Sequence, residues 1–256
     1  MKDLSDEFVQ AVSSARAMGQ RLSVVGTGSK SVLTGNEASA DGRLLSTIEH
    51  TGIVDYRPDE LVVTVRTGTP LKELNQALAR EGQMLGFEPP EYRGLGTVGG
   101  AVAAGIAGPG RPWRGGARDA VLGVQMINGQ AERLNFGGQV MKNVAGFDVS
   151  RLQAGAYGML GLLLEVSLKV LPLPQAERTL ALEVSAEDAH ARMLEWALKP
   201  YPVTATAWMD GVLHVRLSGA EAAVNPTAMI IGGEVPPDNG FWQALRDHSL
   251  SFFRSG

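Results

Sequence analysis

Seven glycines crowd into the seventeen residues GLGTVGGAVAAGIAGPG, 94–110. A chain so short of side chains must either turn sharply there or let its backbone approach a ligand or a neighbouring element closely. Gly94 to Gly99 spell GxGxxG, the pattern of a dinucleotide-binding Rossmann turn. That turn needs a strand feeding its first glycine, a helix opening at its third, and an acidic residue roughly 20 positions further on. The upstream residues FEPPEYR contain two adjacent prolines, which disfavour a central parallel strand. Downstream, RGGARD at 114–119 reads as a loop, so Asp119 stands at the right distance in the wrong context. The sequence therefore argues against NAD.

A second small-residue segment, GTGSKS at 26–31, follows the strand-like RLSVVG. It is not a P-loop, because Val24 and Ser29 stand where GxxxxGK[ST] requires glycine. Two separate loops, 26–31 and 96–100, nonetheless lack bulky side chains, and Thr27, Ser29 and Thr97 add hydroxyl groups. Such a pair suits an anionic ligand such as a pyrophosphate. Glycines that merely turn the chain between strands explain the same composition.

Several function classes drop out. The chain is 44% apolar and 20% charged, enough to bury a substantial core. Its formal net charge of −4 and the lack of a basic run argue against nucleic acid. With no cysteine, these residues can form neither disulfides nor thiolate metal sites. His50, His190, His214 and His248 lack metal-ligand spacing, so no metal is expected. Neither a GxSxG elbow nor a cysteine nucleophile is available for hydrolysis. Glu88, Glu91 and Asp119 lie near the glycine stretch, but Asp119 beside Arg118 reads as a structural ion pair. Arg111 and Arg114 around Trp113 suit a phosphate, a partner protein or a solvated loop equally. The amphipathic, acidic N-terminus carries Leu4, Phe8 and Val12 on one helical face and lacks the apolar run of a signal peptide. No window reaches the roughly 20 apolar residues of a membrane span, and the chain is expected to be cytoplasmic.

Periodicity predicts strands at 21–26, 44–48, 52–56 and 61–68, then a helix with Thr69 as cap, Pro70 first, and Leu71, Leu74 and Leu78 as its apolar stripe. A hairpin is expected to turn at Asn128–Gly129. A short helix, a glycine turn and a long buried strand follow over 150–174. Pro172 and Pro174 mark the best boundary, giving domains 1–174 and 175–256. The second reads as strand (179–184), helix (186–199), strands (203–208 and 211–217) and a helix from about Phe241.

The order of these elements resembles the FAD-binding domain of the vanillyl-alcohol oxidase, or PCMH, type. VVGTGSKS (24–31) is similar to its first pyrophosphate loop, ELVVTVRTGTPLKELNQAL (60–78) to the strand–helix unit after it, and the stretch 89–123, ending RDAVLG, to its second loop. KNVAGFDVSRLQAGAYGMLGLLLEVSLKVLP (142–172) resembles the closing helix, turn and strand. GQMLGFEPP, AGPGRPWRGGARDAVLG and FGGQVMKNVAGFDVSRL narrow the resemblance to the FAD-binding subunits of bacterial glycolate oxidases (glycolate dehydrogenases). WMDGVLHVRLSG and IGGEVPPDNGFWQALRDHSLSFF extend it over nearly the whole chain.

That resemblance implies an α+β fold: a PCMH-type domain of two α/β subdomains, followed by an incomplete α+β cap, because proteins of the family are normally longer. It implies that the backbone N–H groups of Gly26, Thr27, Gly28, Ser29 and Lys30, and of Thr97, Val98, Gly99 and Gly100, hold the FAD pyrophosphate. Gly105, Ala107 and Gly108 would lie along the cofactor. The Gly158–Gly161 turn, with Leu162 and Leu163, would border the adenine. Some relatives attach flavin to a histidine in the first loop; Gly28–Ser29–Lys30 stands there, so noncovalent FAD is implied. The implied function is glycolate oxidation to glyoxylate, with electrons passed through partner subunits to quinone. The partners are a second flavin-containing subunit and an iron–sulfur subunit, holding the assembly at the inner membrane face. No catalytic residue is implied. Competing readings are a structural subunit without flavin and a stand-alone FAD-dependent 2-hydroxy-acid dehydrogenase.

Overall fold

A computed structural model describes residues 1–30, 42–138, 147–237 and 240–254. Ser31 of GTGSKS, and residues 139–146 within FGGQVMKNVAGFDVSRL, lie outside the described residues. The fold is α+β, as expected. It comprises two compact units, Met1–Ala107 with Gly116–Pro172, and Gly108–Gly115 with Leu173–Gly256. Dividing the chain at Pro174 would leave segment 108–115 in the first unit; the structure groups it with the second.

The chain opens with α1 (Ser5–Ala17), β1 (Arg21–Val25), β2 (Gly42–Ser46), β3 (Ile53–Arg57) and β4 (Val62–Arg66). Next come α2 (Leu71–Arg80), β5 (Gln83–Met84), α3 (Val98–Ala104), α4 (Arg111–Arg114) and α5 (Ala117–Ala120). Then β6 (Val121–Ile127), β7 (Arg133–Gly137), α6 (Val149–Leu152), β8 (Leu162–Lys169) and β9 (Leu171–Pro172) complete the first unit.

Its framework is a five-stranded antiparallel sheet in the order β3-β4-β8-β6-β7. Strands β1 and β2 form a separate parallel pair, and β5 and β9 an antiparallel one. β4 and β8 are buried along most of their length because both faces of the sheet are covered. On one face Val63, Val65, Val166 and Leu168 share a core with Leu71, Leu74 and Leu78 of α2 and with Val98, Ala101 and Val102 of α3. On the other, Ile127, Leu162 and Leu164 pack with Phe8 of α1, flanked by Leu4 and Val12, the apolar face read from the sequence.

Two local expectations need correction. Thr69 does not cap α2: its hydroxyl accepts from the Gly52 N–H at 2.9 Å, and Pro70 holds the cap position. The β6–β7 hairpin is not a two-residue Asn-Gly turn. Its loop spans 128–132, where Asn128 Oδ1 accepts from the N–H groups of Gln130 and Glu132, and Ala131 takes φ 64°.

The second unit contains β10 (Ala176–Glu183), α7 (Ala186–Ala197), β11 (Val203–Met209), β12 (Val212–Gly219), α8 (Glu221–Ile231) and α9 (Phe241–Arg246), together with α4. Its antiparallel sheet runs β10-β12-β11. Trp196 of α7 and Val224, Ala228 and Ile231 of α8 share a core with Leu213, Val215 and Leu217. Phe241 and Trp242 form another cluster with Ala205. Within this unit the Arg114 guanidinium donates to Ser218 Oγ at 2.8 Å, so Arg114 is tied down rather than presented to solvent. α8 was missed from the sequence because Pro226, a helix breaker in most interiors, sits in its second turn.

Candidate functional site

The two small-residue loops, seventy residues apart in sequence, meet in the first unit. Loop 26–30 leaves β1, and α3 rises from the second loop. Thr27 Oγ1 donates to Leu95 O at 2.5 Å. A Cβ at Gly26 would lie 2.9 Å from Thr97 Oγ1, and one at Gly100 would lie 3.6 Å from Lys30 Nζ. The glycines thus let the loops close on one another as well as turn.

Their backbone donors differ sharply. The Val98 and Gly99 N–H groups already donate to Thr69 O and Thr67 O, at 2.9 and 2.8 Å. Thr97 Oγ1 accepts from the Gly100 N–H at 3.2 Å as the cap of α3. In the first loop, Ser29 N donates to Thr27 Oγ1 at 3.4 Å. The N–H groups of Gly26, Thr27 and Gly28 have no hydrogen-bond partner among the described residues. Consecutive amides of this kind, in a turn with left-handed Gly28 (φ 75°), are placed to donate together to an anion. Lys30 adds an ammonium group, lying 5.0 Å from the Tyr92 ring centroid and 3.4 Å from Ser29 Oγ. The donor set therefore fits a diphosphate, with the weight on the first loop. The second loop serves chiefly as its backing.

The remaining candidate residues take less direct places. Gly105 ends α3 in the left-handed region, and a Cβ there would meet Gly155 at 2.9 Å. Turn 153–158 is pinned to α3, since Gly155 and Tyr157 donate to Val102 O and Ala103 O. Gly158 of that turn lies beside Val24 of β1. Ala107 packs, half-buried, against the first unit's core, while Gly108 falls in the second unit. Gly161 sits against Met126 and Ile127, with no room for a side chain. Leu162 and Leu163 are core residues on opposite faces of the sheet. They can border a ligand only through backbone.

Asp119 does not pair with Arg118 among the described residues; its carboxylate accepts from the Gly116 N–H at 2.8 Å and starts α5. Glu91 accepts from Asn75 Nδ2 at 2.9 Å and braces the approach to the second loop. Sequence reasoning missed Tyr92. Its signal lay in the aromatic ring of PPEYRG, next to a glycine stretch that otherwise lacks aromatics.

The buried charges lie elsewhere. Arg66 joins Asp3 Oδ2 at 2.8 Å and Glu165 Oε1 at 3.6 Å. Hydrogen bonds from Ser5, assisted by Arg66, hold Asp3 down from 3.8 to about 2. Burial pushes Glu165 up, against the pull of Arg66. His50 is fully buried: Nδ1 accepts from the Leu4 N–H at 3.0 Å and Nε2–H faces Leu164 O at 3.1 Å. Together these groups clamp the N-terminal segment to the sheet. No group of three or more His, Asp or Glu side chains suited to a metal occurs among the described residues. No helix among them is long and apolar enough to cross a membrane.

Comparison with known proteins supplies the rest. The family described as FAD binding domain matches residues 4–137. Glycolate oxidase subunit GlcE of Escherichia coli is 45% identical over 251 residues, covering 98% of this chain and 71% of that one. Glycolate oxidase subunit GlcD of Bacillus subtilis is 28% identical over 173 residues, 67% of this chain but only 37% of that protein. Among solved structures, an alkyldihydroxyacetonephosphate synthase superposes with TM-score 0.76 at 18% identity. It covers 94% of this chain, which spans about half of that enzyme's length (52%).

Proposed function

This chain belongs to the FAD binding domain family, and from that premise we propose that it is the FAD-holding subunit of a glycolate oxidase (glycolate dehydrogenase) complex. Its kinship with glycolate oxidase subunits makes it a member of an FAD-dependent oxidoreductase family. The observation that carries the reading is the first loop: three successive N–H groups, Gly26 to Gly28, without partners among the described residues where two glycine loops meet. Those amides and Lys30 hold the FAD diphosphate noncovalently. Thr97, Val98, Gly99 and Gly100 form the backing that keeps the first loop in place. Gly105, Ala107 and the backbone of Gly161, Leu162 and Leu163 flank the rest of the cofactor. The first unit makes the cofactor domain and the second a cap.

FAD, when bound, supplies the two-electron redox chemistry that side chains lack, while the protein contributes binding, orientation and electrostatics. Oxidation of glycolate to glyoxylate releases two electrons and two protons. The electrons leave through a second flavin-containing subunit and an iron–sulfur subunit to quinone at the inner membrane face. These 256 residues contain no cysteine, which fits a division of labour that puts the cluster on another chain.

The test is to purify the chain alone and with its complex, record visible spectra, and release any flavin by denaturation. FAD freed without proteolysis supports noncovalent retention. Flavin absent from both preparations overturns the electron-transfer role in favour of a structural subunit.

A further inference from the structure

Three of the eight non-glycine residues with positive φ among the described residues, Glu88, Tyr92 and Arg93, fall in six positions just before the second loop (φ 49°, 44° and 61°). A bulky aromatic residue is a genuine outlier in the left-handed region, where glycine or asparagine would sit at less cost. The turn that imposes it is firmly closed. Leu95 N–H donates to Tyr92 O at 3.3 Å and Gly96 N–H to Glu91 O at 2.9 Å. Asn75 of α2 grips the Glu91 side chain, and Leu95 O receives the Thr27 hydroxyl from the first loop. In this turn the Tyr92 ring faces the Lys30 ammonium at 5.0 Å.

We propose that Tyr92 is a positioning residue, whose ring holds the Lys30 ammonium on the loop whose Gly26–Gly28 amides lack partners among the described residues, so that the loop selects a diphosphate. Lysine is a compact charge on a flexible stem, so the contacts of its ammonium group decide where on the loop that charge sits; Ser29 Oγ at 3.4 Å is one and the Tyr92 ring is another. A ring face opposite the ammonium restricts it through a cation–π interaction without neutralising it. An aspartate or glutamate in that place would restrict it equally but cancel the charge the ligand needs. Tyr92 therefore favours ligands bearing two phosphates, FAD above FMN and FMN above riboflavin. It acts through Lys30 rather than by touching the reacting atoms. This inference rests on the flavin reading above.

The experiment is a flavin fluorescence titration of the full chain and the variants Tyr92→Leu, Tyr92→Phe, Lys30→Met and the Lys30→Met/Tyr92→Leu double. Tyr92→Leu should weaken FAD by about two- to five-fold, the cation–π range at a partly exposed site. Tyr92→Phe, which keeps the ring, should stay within about two-fold of the parent. Riboflavin should be indifferent to all the substitutions, and the double variant no weaker than Lys30→Met alone. Equal losses in the Leu and Phe variants, or an added loss in the double, would overturn the proposal. If the parent chain takes up no FAD, the cofactor reading fails on its own account. Inorganic pyrophosphate, titrated calorimetrically against parent and Tyr92→Leu, then decides the role of Tyr92. Weaker binding to the variant upholds it; equal or undetectable binding to both overturns it.

Discussion

Gly99 and Gly28 look alike in the sequence and differ in what requires them. A Cβ at Gly99 would stand 2.5 Å from Thr67 Cβ and 2.9 Å from Thr67 O, so α3 can meet the sheet only because that atom is missing. Gly99→Ala is expected to lower stability by about 1–3 kcal/mol, as overpacking does, visible as an earlier urea midpoint even without flavin. Among the described residues a Cβ at Gly28 would meet only Val25, at 3.9 Å, but its φ is 75°. Gly28→Ala therefore meets left-handed strain of about 1–2 kcal/mol in the loop. It should reduce flavin retention while leaving the unfolding midpoint within the range of local strain. A titration paired with urea melts separates the two. Undiminished flavin retention in Gly28→Ala, or an unshifted urea midpoint in Gly99→Ala, would show that the roles have been assigned wrongly.

His50 belongs to the same scale. Burial holds it below the usual histidine range, opposed by Asp3 and reinforced by Arg66 and Arg133. A histidine depressed in the folded state leaves stability fully present above its unfolded value of about 6.5. That stability is lost as pH falls from there through the lower folded value. Protonation would also set a hydrogen on Nδ1, where the Leu4 N–H now donates. Urea midpoints should accordingly decline as pH drops below about 6.5, and His50→Phe should flatten that decline. Asp3 adds a second loss at lower pH, between 3.8 and about 2. A parent protein with no pH dependence across the first window contradicts the account of His50.

At the scale of elements, α2 and β8 show what patterning can achieve. Leu71, Leu74 and Leu78 were legible as an apolar stripe because a helix repeats its face every three to four residues, and all three are buried. Leu74→Ala, at a site wholly closed to solvent, should cost about 2–5 kcal/mol and lower the thermal midpoint. A change within experimental error would mean that α2 does not anchor the sheet. The elements that escaped the sequence did so for local reasons. Pro226 concealed α8, and the side chain of Asn128 built a longer hairpin loop than Asn-Gly usually signals. The short α3 lay hidden inside a glycine pattern normally read as a turn.

For the whole molecule, motif order revealed the family, yet the hydrogen bonding inside the motifs was beyond any pattern. No spacing rule distinguishes Val98 and Gly99, whose amides donate to Thr69 and Thr67, from Gly26 to Gly28, whose amides lack partners among the described residues. Nor does periodicity reveal that segment 108–115 joins the second unit, since that assignment depends on long-range packing. The central claim is that the diphosphate of FAD sits on the first loop. Amide nitrogen–proton shifts of the purified chain, recorded with and without FAD, test it most directly. Large shifts and slowed exchange are expected at Gly26, Thr27 and Gly28, with Val98 and Gly99 nearly unmoved. Movement of Val98 and Gly99 with an unchanged first loop would contradict it.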